Sequence, residues 1–145
     1  MPPGQNDEQL INDLLDAVQP TQWTRISELA NLFAAQHDAA GQWAPITTND
    51  QGVTTLPFFD WSTELEELVE LLYECQIVAP VDWVEWANDN DNLDDYDIGT
   101  ASPTDLVRYV TSVARADRFN EGTLAEYVKT GDFSAALLRL ADLAS

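Results

Sequence analysis

Residues 62–76 carry the feature that most limits how this chain folds. Leu65, Leu68, Val69, Leu72 and Tyr73 recur at helical spacing, and Thr63 with Glu66 three residues on makes a capping box at the start of the run. A helix patterned this way has to lay its apolar stripe on other elements. Its opposite side holds Glu64, Glu67, Glu70 and Glu74 at i, i+3, i+6 and i+10, a row of carboxylates along one face. Core and charge are thus written on two sides of the same helix.

The same periodicity recurs elsewhere. Leu10, Ile11, Leu14, Leu15 and Val18 predict a helix over 7–18 that Pro20 stops, and Trp23, Ile26, Leu29, Ala30 and Phe33 predict a second over 21–37. Residues 41–57, rich in Gly, Pro, Asn and Thr, read as a loop or irregular hairpin, with β-type pieces at Trp43–Thr48 and Val53–Leu56 around Asn49-Asp50-Gln51-Gly52. Trp83 and Trp86 suggest a short helical turn packed inward, followed by an acidic loop over 88–99. Ser102 as N-cap, Pro103 at N1 and Asp105 at N3 open a helix that uses Leu106, Val107, Tyr109, Val110 and Val113. Two short helices, about 121–130 and 132–144, close the chain, and Gly131 between them suits a left-handed helix end. The expectation is a mainly α, single compact domain over residues 1–145, with a loop or short β-hairpin near 41–57.

Charge narrows the partners. Through Val107 the chain has 21 acids and one base, Arg25, while five acids and five bases follow, so the first part carries the whole net charge of −20. Such a field attracts cations and repels nucleic acid and anionic membranes. Five Trp, five Phe and four Tyr make the chain too aromatic for a disordered acidic tail. One cysteine, Cys75, allows no internal disulfide and fits a reducing cytoplasm. The opening residues hold no basic stretch or apolar run, so no secretory signal is expected, and no apolar run is long enough to span a bilayer.

Catalytic and metal chemistry find little to stand on. His37, the one histidine, falls near the end of a helix among Ala and Gln, and Cys75 follows an apolar stripe, where a buried thiol is inert. The loop from Asp89 through Asp91, Asp94, Asp95 and Asp97 is rich in oxygen ligands. It fails the calcium-loop template, however: Leu93 stands at position five, Asp94 replaces the glycine at six, and Thr100 replaces the glutamate at twelve. No metal or cofactor is expected.

Three stretches between Leu56 and Leu140 resemble an uncharacterised family, domain of unknown function 6508. They are Pro57-Phe58-Phe59-Asp60-Trp61-Ser62, Val81-Asp82-Trp83-Val84-Glu85-Trp86, and Arg115-Ala116-Asp117-Arg118-Phe119-Asn120-Glu121-Gly122 with Gly131 and Leu137-Leu138-Arg139-Leu140. The resemblance implies a family-like helical core over 56–145 and an N-terminal helical extension over 1–55. It implies no activity. Asn120 and Thr123 stand where the family usually has Cys and His, so a Cys/His pair is not available to this chain. Two readings of Arg115, Asp117, Arg118, Glu121 and Arg139 are open. They form an anion- or partner-binding cluster, or they lace short helices together through ion pairs, with Arg139 reaching back to Asp117 or Glu121.

The functional expectation is a non-enzymatic acidic protein that binds a basic, nucleic-acid-binding protein and no nucleic acid itself. In its most concrete form it is an inhibitor from a phage or mobile element, of the anti-CRISPR or anti-restriction type. Carboxylates about 5–6 Å apart imitate a phosphate line spaced at about 3.4 Å per strand, and the face would comprise Glu64, Glu67, Glu70, Glu74, Asp89, Asp91, Asp94, Asp95 and Asp97. The alternative is a halophile's cytoplasmic protein with its site near Arg115–Gly122, since one Lys among so many acids suits molar salt. A small hydrolase is a third class.

Overall fold

A computed structural model describes residues 3–36, 38–44, 47–55, 58–79, 81, 83–89, 96–117 and 121–144. Among these residues the helices are α1 (Pro3–Ala17), α2 (Pro20–Ala35), α3 (Thr63–Glu74), α4 (Trp83–Asp89), α5 (Pro103–Ala116), α6 (Thr123–Thr130) and α7 (Asp132–Ala144). Four short strands stand between α2 and α3, namely β1 (Gly41–Ala44), β2 (Thr47–Thr48), β3 (Thr54–Thr55) and β4 (Phe58–Trp61), and one 3-10 turn, Ile98–Thr100, precedes α5. The architecture is mainly α.

α5 lies at the centre. Leu106, Val107, Tyr109, Val110 and Val113 are buried, and so are Thr111 and Ser112 on the sides a surface helix would show to water. It packs against α7, α4, α6 and α1, while α2 packs against α7 and α3. One buried cluster runs from Ile11 of α1 to Ala141 of α7. Each fully buried Leu or Phe in it contributes about 1.5–3 kcal/mol. The α1 stripe is narrower than its spacing suggests, since Ile11, Leu15 and Val18 are buried but Leu10 stays at the surface.

Local chemistry sets most helix ends. Pro20 opens α2 instead of merely ending α1, and the Gln22 side chain accepts the Gln19 N–H at 2.9 Å. α5 starts as expected, with Ser102 Oγ accepting from the Asp105 N–H at 3.2 Å and Pro103 at N1. The cap of α3 is Ser62, not Thr63: its Oγ accepts from the Leu65 N–H at 3.2 Å. The reason lies in the sheet. The Ser62 N–H donates to Ala40 O at 2.8 Å, which holds Ser62 extended as the cap, so the helix starts at Thr63, one residue earlier than a Thr63 cap would place it.

α3 ends in a Schellman turn, with Ile77 N–H on Leu72 O at 2.9 Å and Gln76 N–H on Tyr73 O at 3.1 Å. Gln76 therefore sits at φ 58°, left-handed backbone that disfavours any residue with a Cβ. Gln76→Gly is expected to stabilise the protein by about 1 kcal/mol, read as a higher urea midpoint at unchanged slope. A lower midpoint would show that the Gln76 side chain supplies more than the strain removes.

The described strands between Gly41 and Trp61 pair antiparallel in the manner of a hairpin. β1 pairs with β4 (Trp43 opposite Phe59) and β2 with β3 (Thr48 opposite Thr54), both ladders in the same register. Asn49 organises the tip: its Oδ1 accepts from the N–H groups of Gln51 and Val53, and Gly52 takes φ 80°. β4 reaches Trp61, five residues beyond the expected piece at Val53–Leu56, because Phe59 stands opposite Trp43 of β1 and its N–H is held by Glu121. Trp83 and Trp86 of α4 are half-buried, and Trp86 stands edge-on to Tyr96 at 5.3 Å.

Candidate functional site

Most of the α3 row faces water. Glu64, Glu70 and Glu74 are exposed opposite the buried Leu65, Leu68, Val69 and Leu72. Glu67 differs. Arg25, the one base before residue 108, reaches across from α2 and takes both Glu67 oxygens in its fork, Nη2 to Oε1 at 2.8 Å and Nε to Oε2 at 2.5 Å, while Nη1 binds Glu28 at 3.1 Å. The row is therefore interrupted by a bidentate ion pair, and Glu67 is not an unpaired carboxylate as its spacing suggested. Asp89 and Asp97 are exposed, the latter accepting from Thr100 Oγ1 at 2.9 Å. α4, which carries Asp89, packs on α5, whereas α3 packs on α2. Asp91, Asp94, Asp95, Arg118 and His37 lie outside the described residues.

Hydrogen bonding to Arg25 holds the Glu67 carboxyl below the ordinary carboxylate range. The folded chain thus takes up that proton less readily than the unfolded chain. The pair stabilises fully above about pH 4.5 and is lost as the pH falls through the lowered value. Glu67→Gln is accordingly expected to lower the urea midpoint at about pH 6 and to converge with the wild type as the pH falls through the lowered carboxyl value. A gap that stays constant with pH would mean the pair contributes nothing through its charge.

Three further bases, Arg108, Arg115 and Arg139, also turn to internal partners. Arg108 binds Asp105 at 3.0 Å and is 16% exposed. Arg115 on α5 lies over the Tyr73 ring of α3, 6.0 Å from its centroid. Arg139 on α7 donates Nε and Nη2 to the Ala101 carbonyl at 3.2 and 3.1 Å. It binds there and not to Asp117 or Glu121, which corrects the expected lacing. Those two carboxylates accept from backbone instead: Asp117 Oδ1 from the N–H groups of Gly122 and Leu124 at 3.1 Å each, and Glu121 Oε1 from the Phe59 N–H at 2.7 Å. An Arg and a carboxylate close in sequence do not have to pair when backbone donors at a helix start are nearer.

Glu121 and Gly122 thereby clamp the hairpin. Glu121 holds β4 at Phe59, and Gly122, at φ 93°, leaves room for the Trp43 ring; a Cβ there would come within 2.6 Å of Trp43 Cζ2. Sequence reasoning missed Trp43 and Phe59 as a unit. The available signal was their placement on either side of the Asn49–Gly52 turn. Cys75 is buried behind α3, and burial pushes its thiol pKa up, away from reactivity. Among the described residues no cluster of His, Cys, Asp and Glu fits a metal ion, and no helix is long and apolar enough to cross a membrane.

Among the described residues these elements define a small helical domain with no buried carboxylate, with Arg25, Arg108, Arg115 and Arg139 turned to internal contacts, and with an aromatic hairpin held at Glu121 and Gly122. The chain belongs to the family of unknown function DUF6508, whose model matches residues 18–145. The match begins well before Leu56, so it includes α2 and the strands β1–β4, and residues 1–17 lie outside it. A search of curated proteins and a search of solved structures found no match.

Proposed function

We propose that this protein is a non-enzymatic cytoplasmic binder whose acidic surface docks on the nucleic-acid-binding face of a basic protein and displaces the nucleic acid, as an anti-CRISPR or anti-restriction inhibitor would. One observation carries the reading. Among the described residues the buried polar side chains are Thr104, Thr111, Ser112 and Ser134, with no carboxylate among them, while Arg25, Arg108, Arg115 and Arg139 face internal partners. The negative field is thus left at the surface, where it speeds and orients encounter with a basic partner. Glu64, Glu70 and Glu74 form its most ordered part, since one helix spaces them. The test is binding to a panel of purified nucleases and CRISPR effectors, with duplex DNA as competitor. Glu64→Gln, Glu70→Gln and Glu74→Gln together should weaken a DNA-competed complex at least about tenfold. Asp13→Asn with Asp16→Asn, on α1, should leave it within about twofold. Equal losses would reduce the effect to net charge and remove α3 as the contact.

A second reading rests on a different observation: exposed acids also occur on α1, α2, α6 and α7, beside a single Lys in the whole chain. Carboxylates spread in this way suit solubility in molar salt. Circular dichroism from about 3 M to about 0.1 M KCl, where the Debye length grows from under about 3 Å to about 10 Å, separates the two. Unfolding at low salt favours adaptation, and retained structure favours docking.

A further inference from the structure

An acidic face steers a partner but does not by itself hold one, and the hairpin carries a side chain suited to holding. Trp43 is 53% exposed, yet its ring is fixed. Its benzo ring meets Gly122, and Phe59 stands against it at 88° with centroids 5.5 Å apart. Phe59 is itself held through its N–H by Glu121 at 2.7 Å. Around this right-angled pair Asp38, Gln42, Glu126 and Lys129 line a hollow of about 180 Å³ that is open to solvent on one side. Asp38 and Glu126 are both exposed at its edge, two carboxylates against one ammonium.

We propose that this hollow binds a guanidinium group, presented by an arginine of a basic polypeptide. The source of that arginine rests on the docking function above; the site does not. A guanidinium is planar and weakly hydrated, so it stacks on an indole face and still directs its N–H groups to carboxylates. A phosphate or carboxylate ligand would meet Asp38 and Glu126 with the same sign of charge. A purely apolar ligand would strip water from both and give nothing back. The corner is also preorganised, because Phe59 and Gly122 both pack against the Trp43 ring, so less rotamer freedom is lost on binding. In an interface of this kind the α3 carboxylates set the encounter and Trp43 is the anchor, as buried Trp–Arg contacts often are.

The test is titration of the intact protein with acetyl-arginine amide, using acetyl-citrulline amide as its neutral isostere. The readout is the Trp43 indole N–H resonance, assigned with Trp43→Leu. A saturable shift with arginine, at least about tenfold weaker with citrulline, is expected. Asp38→Asn with Glu126→Gln, which leaves both rings in place, should weaken arginine binding by a similar factor with an unchanged circular dichroism spectrum. A silent Trp43 resonance, or equal response to citrulline, overturns the site. So does a Trp43 shift that depends on protein concentration alone, which would assign the corner to a second copy of the chain. Arginine binding with no DNA-competed complex sinks only the docking function. A complex that needs the α3 glutamates while Trp43 ignores arginine sinks only this site.

Discussion

Gly41→Ala is expected to destabilise the protein by about 3 kcal/mol, a fall of about 10 °C in Tm for a chain of this size. Two effects combine at this position. Gly41 has φ 136°, a backbone conformation that is nearly exclusive to glycine. A Cβ added there would also lie 2.1 Å from Asp60 O and 3.0 Å from Trp61 Cα. Both obstacles are backbone of the paired strand, so no side chain can rotate away and the β1–β4 ladder has to open. Gly52→Ala supplies the control. Its φ of 80° is also left-handed, but nothing lies within 4 Å of an added Cβ, so only strain of about 1 kcal/mol is expected. Thermal melts of the two variants decide the matter. Equal losses would show that the close approach to Asp60 is not rigid. Because β1 presents Trp43 and β4 presents Phe59, Gly41→Ala should also abolish the Trp43 response to arginine.

Thr111→Val should cost about 2–4 kcal/mol although it preserves shape and adds apolar surface. The Thr111 hydroxyl accepts from the Ala79 N–H at 2.9 Å and donates to the Ile77 carbonyl at 3.2 Å. All three residues are essentially sealed from water, at 0%, 0% and 1% exposure. Valine would leave one donor and one acceptor buried without partners, each at about 1–3 kcal/mol. Thr111→Ser keeps the hydroxyl and loses one methyl, at about 1 kcal/mol. The expected order of stability is therefore Thr, then Ser, then Val, the reverse of hydrophobicity between the last two. Urea denaturation measures it. A valine variant at least as stable as the serine variant would mean that the segment after α3 satisfies its backbone in another way.

Much of the helical framework was legible because its determinants are local. The α5 start needs only Ser102, Pro103 and Asp105, and Gly131 takes φ 89° between α6 and α7 as its position suggested. Of the expected apolar stripe of α3, Leu65, Leu68, Val69 and Leu72 are buried and Tyr73 is half-buried. Errors appear where a neighbouring element intervenes. The Ser62 cap follows from its bond to Ala40, and the long return strand of the hairpin follows from Glu121 on Phe59, 62 residues away. Gln76 in left-handed backbone gave no signal, since glycine or asparagine usually marks that position.

By itself the sequence determined which segments become helices, where the net charge resides, and that Glu64, Glu70 and Glu74 share a face. Periodicity, capping and side-chain charge act over a few residues and depend on no particular fold. Only the tertiary structure decided which partners the charged groups take. Arg25 had 26 carboxylates in the chain to choose from and takes Glu67, 42 positions on. Arg139 takes a carbonyl 38 positions back, and Trp43 rests on Gly122. Such choices depend on which surfaces helix packing brings within hydrogen-bond or van der Waals reach, a distance that local spacing does not encode.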